Sequence, residues 1–86
     1  MKYFVYIIYS EIFDKSYIGQ TNDLTIRIQR HNDGSEKFTK PYRPWVLRFY
    51  IEKDSRAEAM QLEKKLKNLS KERLNEFILK YSSLKN

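Results

Sequence analysis

The stretch SYIGQTNDLTIRIQRHNDG, residues 16–34, predicts a short strand, a capped turn and a helix in direct succession. Residues 16–19 have the aromatic and β-branched character of a strand. The Thr-Asn-Asp sequence at 21–23 offers the side-chain oxygens that cap helix N-termini. Apolar residues and His31 then recur at helical spacing, and Gly34 is the residue type that most often follows a helix C-terminus. This strand-turn-helix unit organises the rest of the chain.

The segment before it predicts a second, more deeply buried strand. Residues 3–9, YFVYIIY, are β-branched or aromatic throughout, which is typical of a strand covered on both faces. Their alternation separates two sets of side chains, with Phe4, Tyr6 and Ile8 on one face and Val5 and Ile7 on the other. The short connection to residues 16–19 predicts an antiparallel hairpin.

After the first helix the chain predicts a basic loop and a third strand. The loop covers residues 35–44 and contains both prolines. Residues 45–53 then alternate strictly between apolar and polar side chains, which predicts a half-buried strand. One face is expected to carry Trp45, Leu47, Phe49 and Ile51.

Two further helices are predicted toward the C-terminus. Asp54 or Ser55 can cap the first, and Ser70 separates it from a last helix at about 70–81. The order β-β-α-β-α-α predicts an α/β (α+β) fold, a small three-stranded, mostly antiparallel sheet flanked by helices. We expect residues 1–86 to form a single domain.

Composition narrows the classes of function. There is no cysteine, which excludes disulfides and thiolate zinc sites as sources of stability. No apolar run approaches the ~20 residues that a membrane span requires, and the N-terminus has no cleavage site of the signal-peptide type, so we expect a cytoplasmic protein without a membrane partner. The formal net charge of +6 and the pI near 9.6 favour a polyanionic partner, nucleic acid first.

Two short motifs resemble the GIY-YIG endonuclease family, which is named for two such triplets on adjacent strands. FVY at 4–6 and YIG at 17–19 correspond to them, with ten residues between Tyr6 and Tyr17. The first triplet departs from the family pattern, because Phe4 stands where the family has glycine.

Three later residues complete the resemblance, which covers about residues 2–69. Arg27 lies in the helix after the second triplet, His31 follows one turn later, and Glu63 lies in a later helix. By resemblance, the catalytic residues would be Tyr6, Tyr17, Arg27 and His31, and Glu63 would hold a divalent metal, Mg²⁺ or Mn²⁺. Some family members carry a supporting asparagine where Asn75 stands.

These residue types suit phosphodiester hydrolysis. Glu63 can hold an oxygen-preferring cation, and Arg27 can donate two parallel hydrogen bonds to a phosphate. A tyrosine can take the proton of the attacking water if a cation lowers its pKa from about 10. His31 can orient that tyrosine or relay its proton. The resemblance implies DNA as substrate, in repair or recombination, with 5′-phosphate and 3′-hydroxyl products. Which tyrosine acts as base stays open.

Substrate contacts are expected at the YIG glycine and in the loop. The loop interleaves cations with Phe38 and Tyr42, a pattern suited to phosphates and stacked bases. The predicted nucleic-acid-binding residues are Gly19, Lys37, Lys40 and Arg43. The chain shows no additional recognition domain, so a branched, flapped or single-stranded DNA, or a targeting protein partner, is the expected route to specificity.

Each residue also has a purely structural interpretation. Tyr6 and Tyr17 are suited to a core, and Glu63 with Lys67 forms an ordinary i,i+4 surface pair. The main alternative to a metal-dependent DNA endonuclease is therefore a nucleic-acid-binding module that keeps the scaffold and cleaves little. A protein-interaction domain that uses the aromatic surface is a third hypothesis.

Overall fold

The computed structural model describes residues 2–84. Its elements follow the predicted order β-β-α-β-α-α, with one single-turn 3₁₀ helix before the third strand. The elements are β1 (Tyr3–Ser10), β2 (Lys15–Thr21), α1 (Leu24–Asp33), the 3₁₀ helix (Lys40–Tyr42), β3 (Val46–Lys53), α2 (Arg56–Lys67) and α3 (Lys71–Leu84).

The three strands form one antiparallel sheet in the order β2-β1-β3. The predicted fold class is confirmed. Strand β1 lies in the centre, which explains why its sequence is apolar on both faces. β2 and β3 are the two edges, so each keeps one side of its backbone free of sheet pairing.

Helices α2 and α3 cover one face of the sheet. Val5, Ile7 and Phe49 meet Ala59 and Leu66 of α2 there, and α3 adds further apolar side chains to the same core. The helix α1 covers the other face, where Tyr6, Ile8 and Trp45 form a second core. The predicted division of β1 into two faces is confirmed.

The expected strict alternation along residues 45–53 is wrong at its start. Ile7 pairs with Phe49 but Ile8 pairs with Leu47, so Arg48 is an extra residue in β3. Such a bulge moves every preceding side chain of the strand to the opposite face of the sheet. Trp45 therefore lies on the α1 side of the sheet, opposite to Phe49, and β3 itself begins only at Val46.

The helix ends form where the capping residues predict them. Asp23 accepts a hydrogen bond from the backbone of Ile26, and Gly34 ends α1 in the left-handed region at φ 87°. Of the two candidate caps for α2, Ser55 is the one used. Ser70 accepts a hydrogen bond from the backbone N–H of Arg73 and so caps α3.

Two elements are longer than predicted. β2 extends from Lys15 to Thr21 instead of covering only 16–19, because its partner β1 continues over the same length. α3 continues past 81 to Leu84. Within the described part of the chain, no helix is long and apolar enough to cross a membrane.

Asn32 closes the loop between α1 and β3. Its amide donates to the carbonyl of Trp45 at 2.9 Å, and its side-chain oxygen accepts from the N–H of Trp45 at 2.6 Å. Both backbone groups of one loop residue are thereby paired with a single side chain. The bond pair fixes where residues 35–44 return to the sheet.

We expect Asn32→Ala to destabilise the fold by about 1–2 kcal/mol, because it leaves both backbone groups of Trp45 without their partner. Gln29→Ala, an exposed position on the same helix, is the matched control and should stay within about 0.5 kcal/mol of the wild type. Urea denaturation of both variants checks this. Equal stabilities would show that water replaces the Asn32 bonds at no cost.

Candidate active site

The two tyrosines of the triplets lie on the same face of the sheet. Tyr6 pairs with Gly19, and Tyr17 pairs with Ile8, two residues further along β1. Because cross-strand partners share a face, both phenols point toward α1. Tyr6 is fully buried, whereas Tyr17 is half-buried at the free edge of β2.

Gly19 makes room for the phenol of Tyr6. A β-carbon at position 19 would lie 2.5 Å from Tyr6 Oη and 2.7 Å from its Cζ, far inside normal contact. The glycine is buried beneath this ring. Its position thus has a packing reason, and its predicted contact with nucleic acid stays a prediction.

His31 joins the helix α1 to both tyrosines and to the loop. Its Nε2 lies 2.8 Å from Tyr6 Oη, and its Nδ1 lies 2.8 Å from Thr39 Oγ1. Its ring centre is 5.7 Å from that of Tyr6 and 5.2 Å from that of Tyr17. With 2% of its surface exposed, the only histidine of the chain has both nitrogens engaged inside the protein.

Electrostatics keep this cluster neutral. Burial lowers the pKa of His31 below its usual 6.5, a shift that Glu36 opposes and Arg27 and Arg30 reinforce. Burial also raises the pKa of the Tyr6 phenol strongly, against the positive charge of Arg27. Tyr6 therefore keeps its proton at neutral pH, and His31 is an uncharged imidazole there.

The hydrogen bonds of this cluster have one consistent direction. Thr39 Oγ1 lies 3.4 Å from the carbonyl of Glu36 and donates to it. Its oxygen then accepts from His31 Nδ1–H, which leaves Nε2 as the acceptor for the Tyr6 hydroxyl. The chain of donors runs from Tyr6 through His31 and Thr39 to a backbone carbonyl. Trp45 Nε1 donates to the carbonyl of Thr39 at 2.9 Å and holds the loop against this cluster.

Arg27 lies beside the tyrosine-histidine cluster and also faces solvent. It is half-buried on α1, and its positive charge acts on the Tyr6 phenol. It lines a polar cavity of about 280 Å³ together with Tyr3, Gln20, Thr21, Asn22 and Arg56. A guanidinium in this position can donate two hydrogen bonds to a phosphate.

Glu63 reaches the same edge of the sheet from the opposite face. Its Oε1 accepts from Gln20 Nε2 at 3.2 Å, and its Oε2 lies 2.9 Å from Lys67 Nζ. The Glu63 side chain is 19% exposed. Gln20 pairs with Val5, so this contact lies on the α2 side of β2.

A single carboxylate is a chemically suitable partner for Mg²⁺. That ion commonly uses one or two carboxylates and keeps several waters or substrate phosphates as its other ligands. Among the residues that the structure describes, no group of three or more His, Cys, Asp or Glu side chains is placed to hold a metal. Glu63 therefore fits an ion that is shared with water and substrate, and a closed site of four protein ligands is not formed by these residues.

Tyr17 completes the arrangement at the free edge of β2. It lines a groove of about 450 Å³ between that edge and the helices α2 and α3. Lys67 Nζ lies 6.0 Å from its ring centre, so the cation next to Glu63 also faces this phenol. Tyr17, Arg27 and Glu63 thus approach one edge strand from both of its faces.

The basic loop lies toward the other end of α1. Lys40 and Arg43 line a separate hollow of about 600 Å³ with Asn32 and the two prolines, and Lys37 is exposed. The two loop aromatics diverge: Tyr42 packs on Phe13 and Lys15, whereas Phe38 is 81% exposed. The structure therefore does not bring the predicted loop cations into the cavity of Arg27.

Two residues remain to be placed: the supporting candidate Asn75, and Phe4, which stands where the family has glycine. Asn75 is half-buried on α3, and within the described chain no hydrogen bond joins it to Glu63. Phe4 packs edge-on against Tyr50 with ring centres 6.1 Å apart. The phenylalanine thus fills space between β1 and β3 and leaves the tyrosine of its triplet in place.

Sequence reasoning missed three residues of this region: Thr39, Gln20 and Arg56. Thr39 lies in a loop without periodicity, and nothing local indicates that its hydroxyl reaches His31. Gln20 lies just beyond the predicted end of the strand at residue 19, whereas β2 continues to Thr21. Arg56 is one basic residue among many in the sequence, and only the cavity that it shares with Arg27 distinguishes it.

Comparison with known proteins agrees with this architecture. A family model described as the GIY-YIG catalytic domain matches residues 2–76, which extends the expected resemblance into α3. The chain is 41% identical over 63 residues to the UPF0213 protein YazA of Bacillus subtilis, a segment covering 72% of this chain and 64% of YazA. The match therefore spans just under two thirds of that relative.

Two further relatives are matched over more of their length. The UPF0213 protein SH2523 of Staphylococcus haemolyticus is 38% identical over 73 residues, covering 83% of this chain and 87% of that protein. The solution NMR structure of the UPF0213 protein BH0048 from Bacillus halodurans has a TM-score of 0.60 and 30% identity, covering 91% of this chain and 83% of its own. The similarity thus holds in both sequence and structure.

We expect Gly19→Ala to destabilise the protein by about 1–3 kcal/mol, because the added methyl group overlaps the Tyr6 ring. Ser16→Ala on the exposed part of the same strand is the control. Urea denaturation measures both. In the double variant Tyr6→Phe/Gly19→Ala, loss of Oη should recover part of the loss caused by Gly19→Ala, and strict additivity of the two single effects would contradict this.

The single histidine permits a direct titration. We expect the His31 imidazole to titrate below pH 6.5 in the folded protein and near 6.5 in urea, measured by NMR. Since the unfolded state then binds more protons, stability should fall as pH drops from 6.5 through the folded pKa. The variant His31→Gln should lack this part of the pH dependence. A folded midpoint above 6.5 would contradict the neutral cluster.

Proposed function

The chain belongs to the GIY-YIG catalytic-domain family, and from that membership we propose that it is a metal-dependent DNA endonuclease. A nuclease-type domain of this family acts on nucleic acid. The observation that supports the finer proposal is that Tyr17, Arg27 and Glu63 all lie along β2: Tyr17 lines the groove at its free edge, Arg27 lines the cavity that Gln20 also lines, and Glu63 accepts a hydrogen bond from Gln20. The neutral, hydrogen-bonded pair of Tyr6 and His31 lies next to Tyr17 on the α1 face of the sheet.

Glu63 would hold the divalent metal, Mg²⁺ or Mn²⁺. When bound, such an ion supplies positive charge to the phosphate and to the leaving oxygen. The ion would compete with Lys67 and Gln20 for the Glu63 carboxylate, and both of these partners are exposed or only partly buried. Lys67 then stays close by as a cation for the substrate.

We assign the role of proton acceptor to Tyr17. Tyr6 is fully buried, stays protonated and uses its hydroxyl as a hydrogen-bond donor to His31, so it does not contact an attacking water. Tyr17 lies on the same face and lines the open groove between β2 and the helices α2 and α3. In this mechanism Tyr17 acts as the phenolate, after releasing its own proton to solvent. Water attacks phosphorus and gives its proton to that phenolate, the bond from phosphorus to the 3′ oxygen breaks, and the 3′ oxygen takes a proton from water to become the 3′-hydroxyl.

The other residues orient the reactants. Arg27 donates to the non-bridging oxygens of the phosphate and stabilises the charge that grows there. His31 has both nitrogens engaged, so its role is to fix Tyr6 and pack against the ring of Tyr17. Tyr6 and His31 are thus positioning residues.

Preference for DNA structure finds support in the loop. Phe38 is 81% exposed between Lys37 and Thr39, with Lys40 next along the chain. An exposed ring flanked by cations suits an unpaired base and its phosphates. We propose a branched, flapped or single-stranded DNA substrate met in the cytoplasm, with a protein partner as the other source of targeting.

A cleavage assay tests the proposal. Labelled duplex, single-stranded and branched DNA are each incubated with Mg²⁺, Mn²⁺ or chelator. Cleavage should require metal and should fall about 10²-fold or more in Tyr17→Phe, because that variant lacks the proton acceptor. Glu63→Gln and Arg27→Ala should lose cleavage as well.

Tyr50→Phe, on the opposite edge strand, is the matched control and should cut normally. Tyr6→Phe separates the two tyrosines: it should unfold more easily than Tyr17→Phe yet retain more activity per folded molecule. Full activity of Tyr17→Phe would overturn its assignment as proton acceptor. Cleavage that survives in Glu63→Gln and Arg27→Ala alike would identify a contaminating nuclease.

One observation favours a second candidate, a binding module with little cleavage. Both carboxylate oxygens of Glu63 are already engaged, one by Gln20 and one by Lys67. A metal would compete with these partners for the carboxylate, whereas binding of nucleic acid would not. DNA binding without cleavage under either metal would favour the module.

A further inference from the structure

The cavity that contains Arg27 also contains a second arginine that belongs to no motif. Arg56 is the first residue of α2, and Arg27 lies on α1, so two helices on opposite faces of the sheet supply one guanidinium each. The polar volume between them is about 280 Å³. Its remaining lining residues are Tyr3, Gln20, Thr21 and Asn22.

The positive charge in this cavity comes from two guanidinium groups that no salt bridge among residues 2–84 engages. Within the part of the chain that the structure describes, neither arginine forms an ion pair. The carboxylates nearest to Arg56 in sequence are engaged elsewhere, since Asp54 is 2.5 Å from Lys2 Nζ and Glu58 accepts from the Ser55 hydroxyl at 3.1 Å. Two guanidinium groups without a carboxylate partner in one polar cavity attract an anion.

The cavity adjoins the candidate active site without coinciding with it. Gln20 lines the cavity and donates to Glu63 at 3.2 Å, so the two regions are neighbours along β2. From Tyr17 to Thr21 the strand advances roughly 13 Å at ~3.3 Å per residue. A nucleic-acid strand at about 3.4 Å per nucleotide passes roughly four nucleotides over that length.

We propose that Arg56 binds a backbone phosphodiester that flanks the scissile group of the nucleic-acid strand, while Arg27, which lines the same cavity, contacts the scissile phosphate. The inference rests on the proposed function, because it places that strand along the free edge of β2. A planar guanidinium can donate two parallel hydrogen bonds to one phosphate, which suits this group better than a lysine ammonium. Arg56 is thus a residue of substrate binding.

Equilibrium binding in chelator tests this without any need for cleavage. Fluorescence anisotropy at several salt concentrations compares wild type, Arg56→Gln and the control Arg48→Gln, which removes the same charge from the opposite edge strand. Arg56→Gln should bind DNA about five- to tenfold more weakly. Its log-log salt slope should fall by about 0.7 on single strands or about 0.9 on duplex. Arg48→Gln should behave as wild type.

Neutral methylphosphonate substitutions then locate the phosphate. One position near the cut should weaken the wild type to the affinity of Arg56→Gln and leave that variant unchanged. A 5′-phosphorylated oligonucleotide and its 5′-hydroxyl counterpart separate an internal phosphodiester from a terminal phosphate. The loss caused by Arg56→Gln should be equal on both.

Three outcomes would overturn the assignment: wild-type affinity and slope in Arg56→Gln, equal losses in both arginine variants, or a loss confined to 5′-phosphorylated DNA. Failure of the proposed function looks different. If Arg56→Gln weakens DNA binding as expected but the protein never cuts DNA with either metal, the phosphate site stands and the proposed endonuclease activity is overturned. Absence of any DNA binding overturns both.

Discussion

Tyr6 lies against the α-carbon of Gly19 and hydrogen-bonds to His31 at 2.8 Å, and this contact connects β1, β2 and α1 at one point. His31 extends the connection to the loop through Thr39. Because the cluster is buried, each polar group in it needs its partner, and removing one leaves the others unsatisfied. The position of α1 over the sheet follows from this requirement.

The buried cluster determines what remains available at the surface. Since Tyr6 and His31 satisfy each other, the neighbouring tyrosine at the sheet edge is the one that meets solvent. Tyr17 stands beside a groove, Arg27 beside a polar cavity, and Glu63 arrives from the opposite face. An edge strand permits this, because side chains from both faces can reach the same open side of its backbone.

Much of the architecture follows from local patterns. The apolar run of β1 and the glycine that ends α1 act within a few residues, so the sequence alone predicts them. It also narrows each helix cap to two or three neighbouring residues, of which the structure uses Asp23 and Ser55. The face of the sheet on which Trp45 lies does not follow from the local sequence. The extra residue Arg48 reverses it, and the reason is the pairing of β3 with β1, which lies outside the local sequence.

The sequence by itself determined the element order, the helix ends and, through a resemblance, the residue types of the candidate site. Only the tertiary structure decided how they are partnered: that Tyr6 is buried against His31, that Glu63 already holds Gln20 and Lys67, and that Arg56 shares a cavity with Arg27. The physical reason is range. Capping and periodicity act over a few residues, whereas burial and charge pairing depend on groups that the fold brings together from distant positions.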